Sequence, residues 1–283
     1  MQLLVFKQLW GHEGTREDAI IDVLDAGFHG IEGAPPGTEG ARAELSCLIA
    51  DAGLHYIAEI STGIFTPGKW VPDPRTTVED HLGSFRVILE HCLEMNPLKI
   101  TSMAGNDLWP IQDSIRFFRE AMAISASHGT EVSFETHRGR STFHPLAMAA
   151  LIDAIPDIPL TCDFSHWCVV TERSAIMDEF PELLNACAHR ARHFHARVGY
   201  DQGAQVPDPR APEYAENLAV HERWWDAIWD AQEARNLEFS TLTPESGPDG
   251  YLHLEPYTQK PVANLWEINR WIGQRQIQRF ADR

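Results

Sequence analysis

Short apolar runs alternate along the chain with longer stretches whose apolar residues recur at helical spacing, and the alternation predicts eight strand–helix units. The expected strands are 3–9, 28–32, 54–60, 98–103, 131–135, 159–163, 193–197 and 238–243. The clearest helices are expected at 77–94, 111–127, 215–235 and 262–280. A repeated phrase marks the joints. Asp25, Ala26 and Gly27 precede a short run ending in Glu32, and Asp51, Ala52 and Gly53 precede one carrying Glu59. His128 and Gly129 precede a third, ending in Glu135. In each, glycine supplies the left-handed turn that stops a helix and feeds the next strand. Thr15 with Asp18, and Thr76 with Glu79, have the spacing of capping boxes at helix starts.

Strands alternating with helices imply a parallel sheet, and eight units in 283 residues suit one closed (β/α)₈ barrel. No GxGxxG follows the first strand, which removes the main support for a dinucleotide-binding sheet. No linker divides the chain, so 1–283 is expected to form one domain. The segment 199–213, containing VPDPRAP, is expected to be a long loop over one face.

Charge narrows the partners. Lys plus Arg is 23 and Asp plus Glu is 41, a formal net charge of −18 that repels nucleic acid. The five cysteines show no CxxC spacing and suit reduced thiols better than a disulfide framework. MQLLVFKQLWGHEG lacks the features of a secretory leader, and no apolar run reaches membrane-spanning length, so a cytoplasmic protein is expected.

In a parallel barrel the strand C-termini open on one face, so residues distant in sequence meet there. The later expected strands end at or near Glu135, Asp163, His195 and Glu245. The first two intervals are 163 − 135 = 28 and 195 − 163 = 32 residues, about one strand–helix unit each. Three carboxylates and one imidazole form a hard, oxygen-rich set suited to one Mn²⁺, Mg²⁺ or Co²⁺, with Zn²⁺ as a further candidate. Taken singly, each residue has a plainer role. Glu135 could pair with Arg138 or Arg140, Asp163 could cap a helix, His195 could sit in the core, and Glu245 could lie in a turn.

The order Glu, Asp-x-x-His, His, Glu on the last four strands resembles the xylose isomerase-like barrels: sugar isomerases, ketose 3-epimerases, hydroxypyruvate isomerases, inosose dehydratases and AP endonucleases. The resemblance implies that Glu135, Asp163, His195 and Glu245 hold one divalent ion, Mn²⁺ first. It also implies that Glu135 and Glu245 act as an acid/base pair through a metal-stabilised enediolate. His166 would then face substrate oxygens. His137, Arg197, Lys7 and Arg210 join it as candidate substrate-binding residues, with Arg138 and Arg140 nearby. Trp10, Trp70, Trp109 and Trp167 are candidates to cover a sugar, whereas Trp224, Trp225 and Trp229 suit the core or a subunit contact. The expected activity is isomerisation or epimerisation of a small polyhydroxylated ketose or aldose, neutral or acidic. An inosose-type dehydratase is the second reading, and a homo-oligomer suits the family habit.

Two further alternatives carry less. The nuclease branch needs extra histidines, but the third expected strand runs into Glu59, Ile60, Ser61 and Thr62, and the fourth into Thr101, Ser102, Met103 and Ala104. Its loop histidine is replaced by Arg210 of the Asp208-Pro209-Arg210 stretch. A non-catalytic sugar-binding barrel would be expected to have broken ligand positions, and all four are present.

Overall fold

The alternation closes on itself in the computed structural model, which describes residues 1–65 and 71–283. The first half comprises β1 (Gln2–Gln8), α1 (Arg16–Ala26), β2 (Gly30–Gly33), α2 (Glu39–Asp51), β3 (His55–Ser61), α3 (Val78–Glu94), β4 (Lys99–Met103) and α4 (Ile111–Ser127). The second comprises β5 (Val132–Glu135), α5 (Pro145–Ala154), β6 (Leu160–Cys162), α6 (Ser165–Thr171), α7 (Ile176–Glu179), α8 (Pro181–Arg190), β7 (Ala191–His195), α9 (Ala215–Ala234), β8 (Phe239–Thr243) and α10 (Leu265–Ala281). The eight strands pair in chain order, and β8 pairs parallel with β1, so the sheet is a closed (β/α)₈ barrel.

Expected and observed strands overlap throughout, with ends displaced by one or two residues. β6 differs most. It has three residues, and its register with β7 slips between Leu160 and Thr161, so Asp163 lies just beyond the ladder. The Thr15–Asp18 capping box is present at the start of α1, which ends at Gly27 with φ +71°. The second box is formed by Thr77 and Asp80, not by Thr76 and Glu79. Thr76 Oγ1 instead donates to Asp73 O at 2.7 Å, placing it in the turn before the helix.

Most apolar side chains are buried between sheet and helices. Leu4, Phe6 and Ile57 form a separate small cluster, with Leu98 and Phe239 packed against it. Trp224, Trp225 and Trp229 are core residues; the Trp225 ring stacks on Phe194 of β7 at a centroid distance of 6.2 Å. The long loop before α9 is tied to the loop after β8. Gln205 Nε2 donates to Gly247 O at 3.3 Å, and Gly247 N donates to Gln205 Oε1 at 2.8 Å. Among the described residues, no helix is long and apolar enough to cross a membrane.

Candidate active site

Glu135 ends β5, Asp163 follows β6, His195 ends β7 and Glu245 lies two residues past β8. One ligand atom from each of the four lies within 4.8 Å of the others. Donors sharing one divalent ion at oxygen- or nitrogen-ligand distances stand about 3–4.5 Å apart, so the set fits such an ion. His195 Nδ1 lies 3.2 Å from Glu135 Oε1 and 3.0 Å from Glu245 Oε2. Glu245 Oε2 is buried without a hydrogen bond of acceptable geometry, and such an orphaned acceptor is what a cation would meet.

Asp163 is held firmly. Its Oδ1 accepts from Ser165 N at 2.9 Å and Ser165 Oγ at 2.5 Å, and its Oδ2 pairs with Arg197 Nη2 at 2.5 Å. Arg197 Nη2 also lies 2.5 Å from His166 Nε2, so that nitrogen accepts and the proton belongs on Nδ1. His166 Nδ1 is buried without a partner. The His137 ring stacks beside it with centroids 3.9 Å apart.

Glu32 is the residue beside the cluster that sequence reasoning left out. Its Oε1 accepts from His195 Nε2 and its Oε2 from His193 Nε2, both at 3.1 Å. With Nε2 protonated by that arrangement, His195 turns Nδ1 toward the carboxylate cluster, in the tautomer a metal ligand requires. The signal was present, since Glu32 ends one of the repeated strand phrases. Its pairing with two histidines from β7 is a product of barrel closure and has no local trace.

Burial and charge set these groups apart. Burial pushes Glu135 up to about 7, against the pull of His195, with Glu245 adding to the rise. Asp163 is also raised by burial, against Arg197. Glu245 is held low because His195 and Arg197 together outweigh its desolvation. For His195 burial acts downward, but Glu245, Glu32 and Glu135 overcome it and hold the imidazole well above its ordinary range. A divalent ion would take over the balancing role of that proton, so metal binding here would release protons. Burial and neighbouring arginines keep His137 and His166 neutral.

Beside the cluster is a cavity of about 370 Å³, lined by residues including Trp10, Glu59, His137, Arg197, Glu245 and Tyr251. That volume suits a small molecule of sugar size. Glu59 is pushed up to about 8 by burial, then by Glu245, Glu32 and Glu135, so it is protonated at neutral pH. Trp10 is fixed by its Nε1 donating to Asp249 at 2.9 Å and by an edge contact with Tyr251 at 5.4 Å. Gly247 is required there, since a Cβ would meet the Trp10 ring at 2.0 Å.

Several candidates lie elsewhere. Lys7 is not in the cavity. Side chains alternate along β1, so with Gln8 lining the cavity Lys7 points to the helical layer, where it pairs with Asp22 at 3.1 Å and covers the Trp266 ring at 3.6 Å. Arg210 is likewise outside, because Asp208 two residues earlier takes its guanidinium at 2.7 Å. Trp167 is a core residue donating to Thr142 O, and Trp109 packs its ring on His81. Trp70 lies outside the described residues. Of the four tryptophans singled out, Trp10 lines the cavity.

The chain belongs to the xylose isomerase-like TIM barrel family, whose model matches residues 20–203. No curated protein matches it in sequence. It is similar in structure to the probable 3-DHS dehydratase involved in petrobactin synthesis from Bacillus anthracis, at 17% identity and a TM-score of 0.59, covering 98% of this chain and 99% of that one. It is also similar to 3-keto-D-glucoside 4-epimerase from E. coli, at 14% identity and a TM-score of 0.55, covering 96% of this chain and 98% of that one. A xylose isomerase-like protein from Mycobacterium smegmatis in complex with magnesium aligns at 12% identity with a TM-score of 0.57, covering 97% of each chain. At these identities the likeness is one of fold.

Proposed function

We propose that the protein is a divalent-metal-dependent isomerase or epimerase of a small polyhydroxylated ketose or aldose. The observation that supports this best is the convergence of Glu135, Asp163, His195 and Glu245 within 4.8 Å at the strand C-termini. When bound, a divalent ion, Mn²⁺ first, supplies charge stabilisation to adjacent carbonyl and hydroxyl oxygens, worth several kcal/mol. Glu135 and Glu245 stand on units three apart around the barrel, and between them remove and return a carbon-bound proton. His166 Nδ1 has a proton to donate to a substrate oxygen, while its Nε2 is held by Arg197. His137 packs against that imidazole, and Trp10, which lines the cavity, offers an indole surface to the C–H groups of a sugar.

Dehydration is the second reading, and Glu59 favours it. A carboxyl protonated at neutral pH in the same cavity has a proton to give to a departing hydroxyl. The two readings separate by product. The metal-loaded protein is incubated with ketoses, inososes and sugar acids in D₂O, and products are analysed by mass spectrometry. Deuterium gained with water retained supports isomerisation or epimerisation, and loss of water supports the lyase. A protein that binds no divalent ion and exchanges no substrate proton ends both.

A further inference from the structure

The cavity beside the carboxylate cluster is chemically divided. Its lining from the second half of the barrel includes His137, Arg197 and Glu245. Its lining from the first half presents Leu9 and Trp10 after β1, Gly33 and Ala34 at the end of β2, Phe65 after β3 and Met103 at the end of β4. Those four strands are successive neighbours in the sheet, so the six residues form one apolar arc around the mouth. Leu9, Trp10, Phe65 and Met103 are half-buried and Ala34 is exposed, which leaves apolar surface facing the cavity. Contiguous apolar surface in a concave site, beside a few convergent polar groups, marks a place where a ligand buries a hydrocarbon face.

Among the described residues, the arc offers few partners to a hydroxyl. Leu9 N donates to Glu32 O at 2.8 Å and Trp10 N to Gln8 Oε1 at 3.2 Å, while Trp10 Nε1 is taken by Asp249. Gly33 O accepts from Tyr56 Oη at 2.6 Å, and Met103 O from Thr62 N at 3.1 Å. The polar side chains of that half go with the cluster. Gln8 Nε2 reaches Glu245 Oε1 at 3.4 Å, and Glu59 and Ser61 share one face of β3, where Glu59 meets the charges of Glu245, Glu32 and Glu135. A sugar hydroxyl lodged against the arc would lose its water for no partner, whereas an alkyl group there would remove apolar area on both surfaces.

We propose that this arc receives a hydrocarbon end of the substrate. The ligand is then a hydroxylated ketone or aldehyde with adjacent oxygens at one end and an alkyl or ring group free of hydroxyls at the other, in place of a sugar hydroxylated along its whole length. This rests on reading the carboxylate cluster as the reactive centre, which fixes the end of the molecule that carries the oxygens. A small molecule is the occupant, because the arc is one wall of a cavity of about 370 Å³ shared with His137, Arg197 and Glu245, and not an open face of the protein.

The test uses hydroxamates, whose two adjacent oxygens chelate a divalent ion and carry no stereochemistry at the reacting end. The full chain is titrated calorimetrically, in saturating Mn²⁺ and again in EDTA, with acetohydroxamate, hexanohydroxamate and D-gluconohydroxamate, the last having the same carbon chain as the second with hydroxyls along it. With Mn²⁺, wild type is expected to bind hexanohydroxamate at least about tenfold more tightly than acetohydroxamate, the worth of about two buried methylene groups, and gluconohydroxamate no more tightly than acetohydroxamate. Met103→Gln, close in shape but polar, is expected to cut the advantage of the alkyl tail to under about threefold. Ala34→Gln is expected to reduce it in the same direction, and it carries the test should the Met103 variant not fold, because Ala34 is exposed. Equal affinities for the acetyl and hexanoyl compounds in wild type would overturn the proposal. So would gluconohydroxamate binding as tightly as hexanohydroxamate, or a tail advantage that survives both substitutions. Mn²⁺ affinity is measured in parallel. A chain that binds Mn²⁺ without a tail advantage overturns this proposal alone, and one that binds no Mn²⁺ yet keeps in EDTA a tail advantage lost in the variants overturns the metal reading alone.

Discussion

Replacing Glu59 with glutamine tests the electrostatics of the cavity without touching a candidate metal ligand. Its carboxyl moves from an ordinary value of 4.5 to about 8, burial being the leading cause and the charges of Glu245, Glu32 and Glu135 following. The folded chain therefore holds a proton that the unfolded chain has released throughout that window. Stability accordingly falls as pH rises from 4.5 toward 8 and levels off above it. A shift of about 3.5 units corresponds to roughly 5 kcal/mol at ~1.36 kcal/mol per unit, and relaxation around the buried charge brings the expected effect to about 2–3 kcal/mol. Glu59→Gln, a neutral mimic of the protonated acid, should match wild type near pH 5 and exceed it by that amount near pH 8.5. The assay is urea unfolding followed by circular dichroism at both pH values in EDTA. Saturating Mn²⁺ should shrink the gap, since it offsets the neighbouring carboxylates, but not close it, because burial remains. An equal effect of the substitution at both pH values, or a variant less stable at the higher one, would refute the reasoning.

Three other outcomes follow from the same geometry. Asp163→Asn should weaken Mn²⁺ binding by at least about a hundredfold in calorimetry, and should cost about 1–3 kcal/mol in urea melts by removing the shorter of the two carboxylate contacts of the buried Arg197 guanidinium, Glu245 at 3.3 Å remaining; unchanged metal affinity would remove Asp163 from the proposed ligand set. Glu32→Gln should leave the fold intact by circular dichroism yet reduce Mn²⁺ affinity about 10–100-fold, the usual cost of losing a carboxylate behind a ligating histidine. Wild-type affinity in that variant would show that His195 needs no such support. Trp224→Ala, a fully buried residue whose Nε1 donates to Asp178 at 2.8 Å, should cost about 3–5 kcal/mol of folding stability, and a loss under about 1 kcal/mol would place that helix outside the core.

The period of the apolar residues carried the architecture. Eight runs with helical segments between them leave little but a closed parallel sheet, and the four strand-end residues could be read because strand C-termini must share a face. What failed to show in the sequence depends on side-chain direction. Lys7 and Gln8 are neighbours with equal claims, and only the pleat of β1 sends one into the helices and the other into the cavity. Arg210 has a local partner two residues away that outcompetes a distant site. The second capping box was misplaced by one residue because adjacent threonines at 76 and 77 offer the same hydroxyl. Glu32 was visible as an acid at a strand end. Its role required knowing that β2 and β7 come within three strands of each other once the barrel closes.

The interior beneath the four clustered residues is not inert packing. From the β4 start, Lys99 Nζ donates to Thr241 Oγ1 at 3.0 Å, Thr241 Oγ1 meets His193 Nδ1 at 2.9 Å, and His193 reaches His195 through the two oxygens of Glu32. Linked polar groups in a dry interior reinforce one another, and a vacancy in such a line strands its neighbours. The lower end of the barrel is thus mechanically and electrically continuous with the mouth. Remodelling the base for stability, by exchanging Lys99 or Thr241 for aliphatic residues, would be felt at the His195 imidazole, between Glu135 and Glu245.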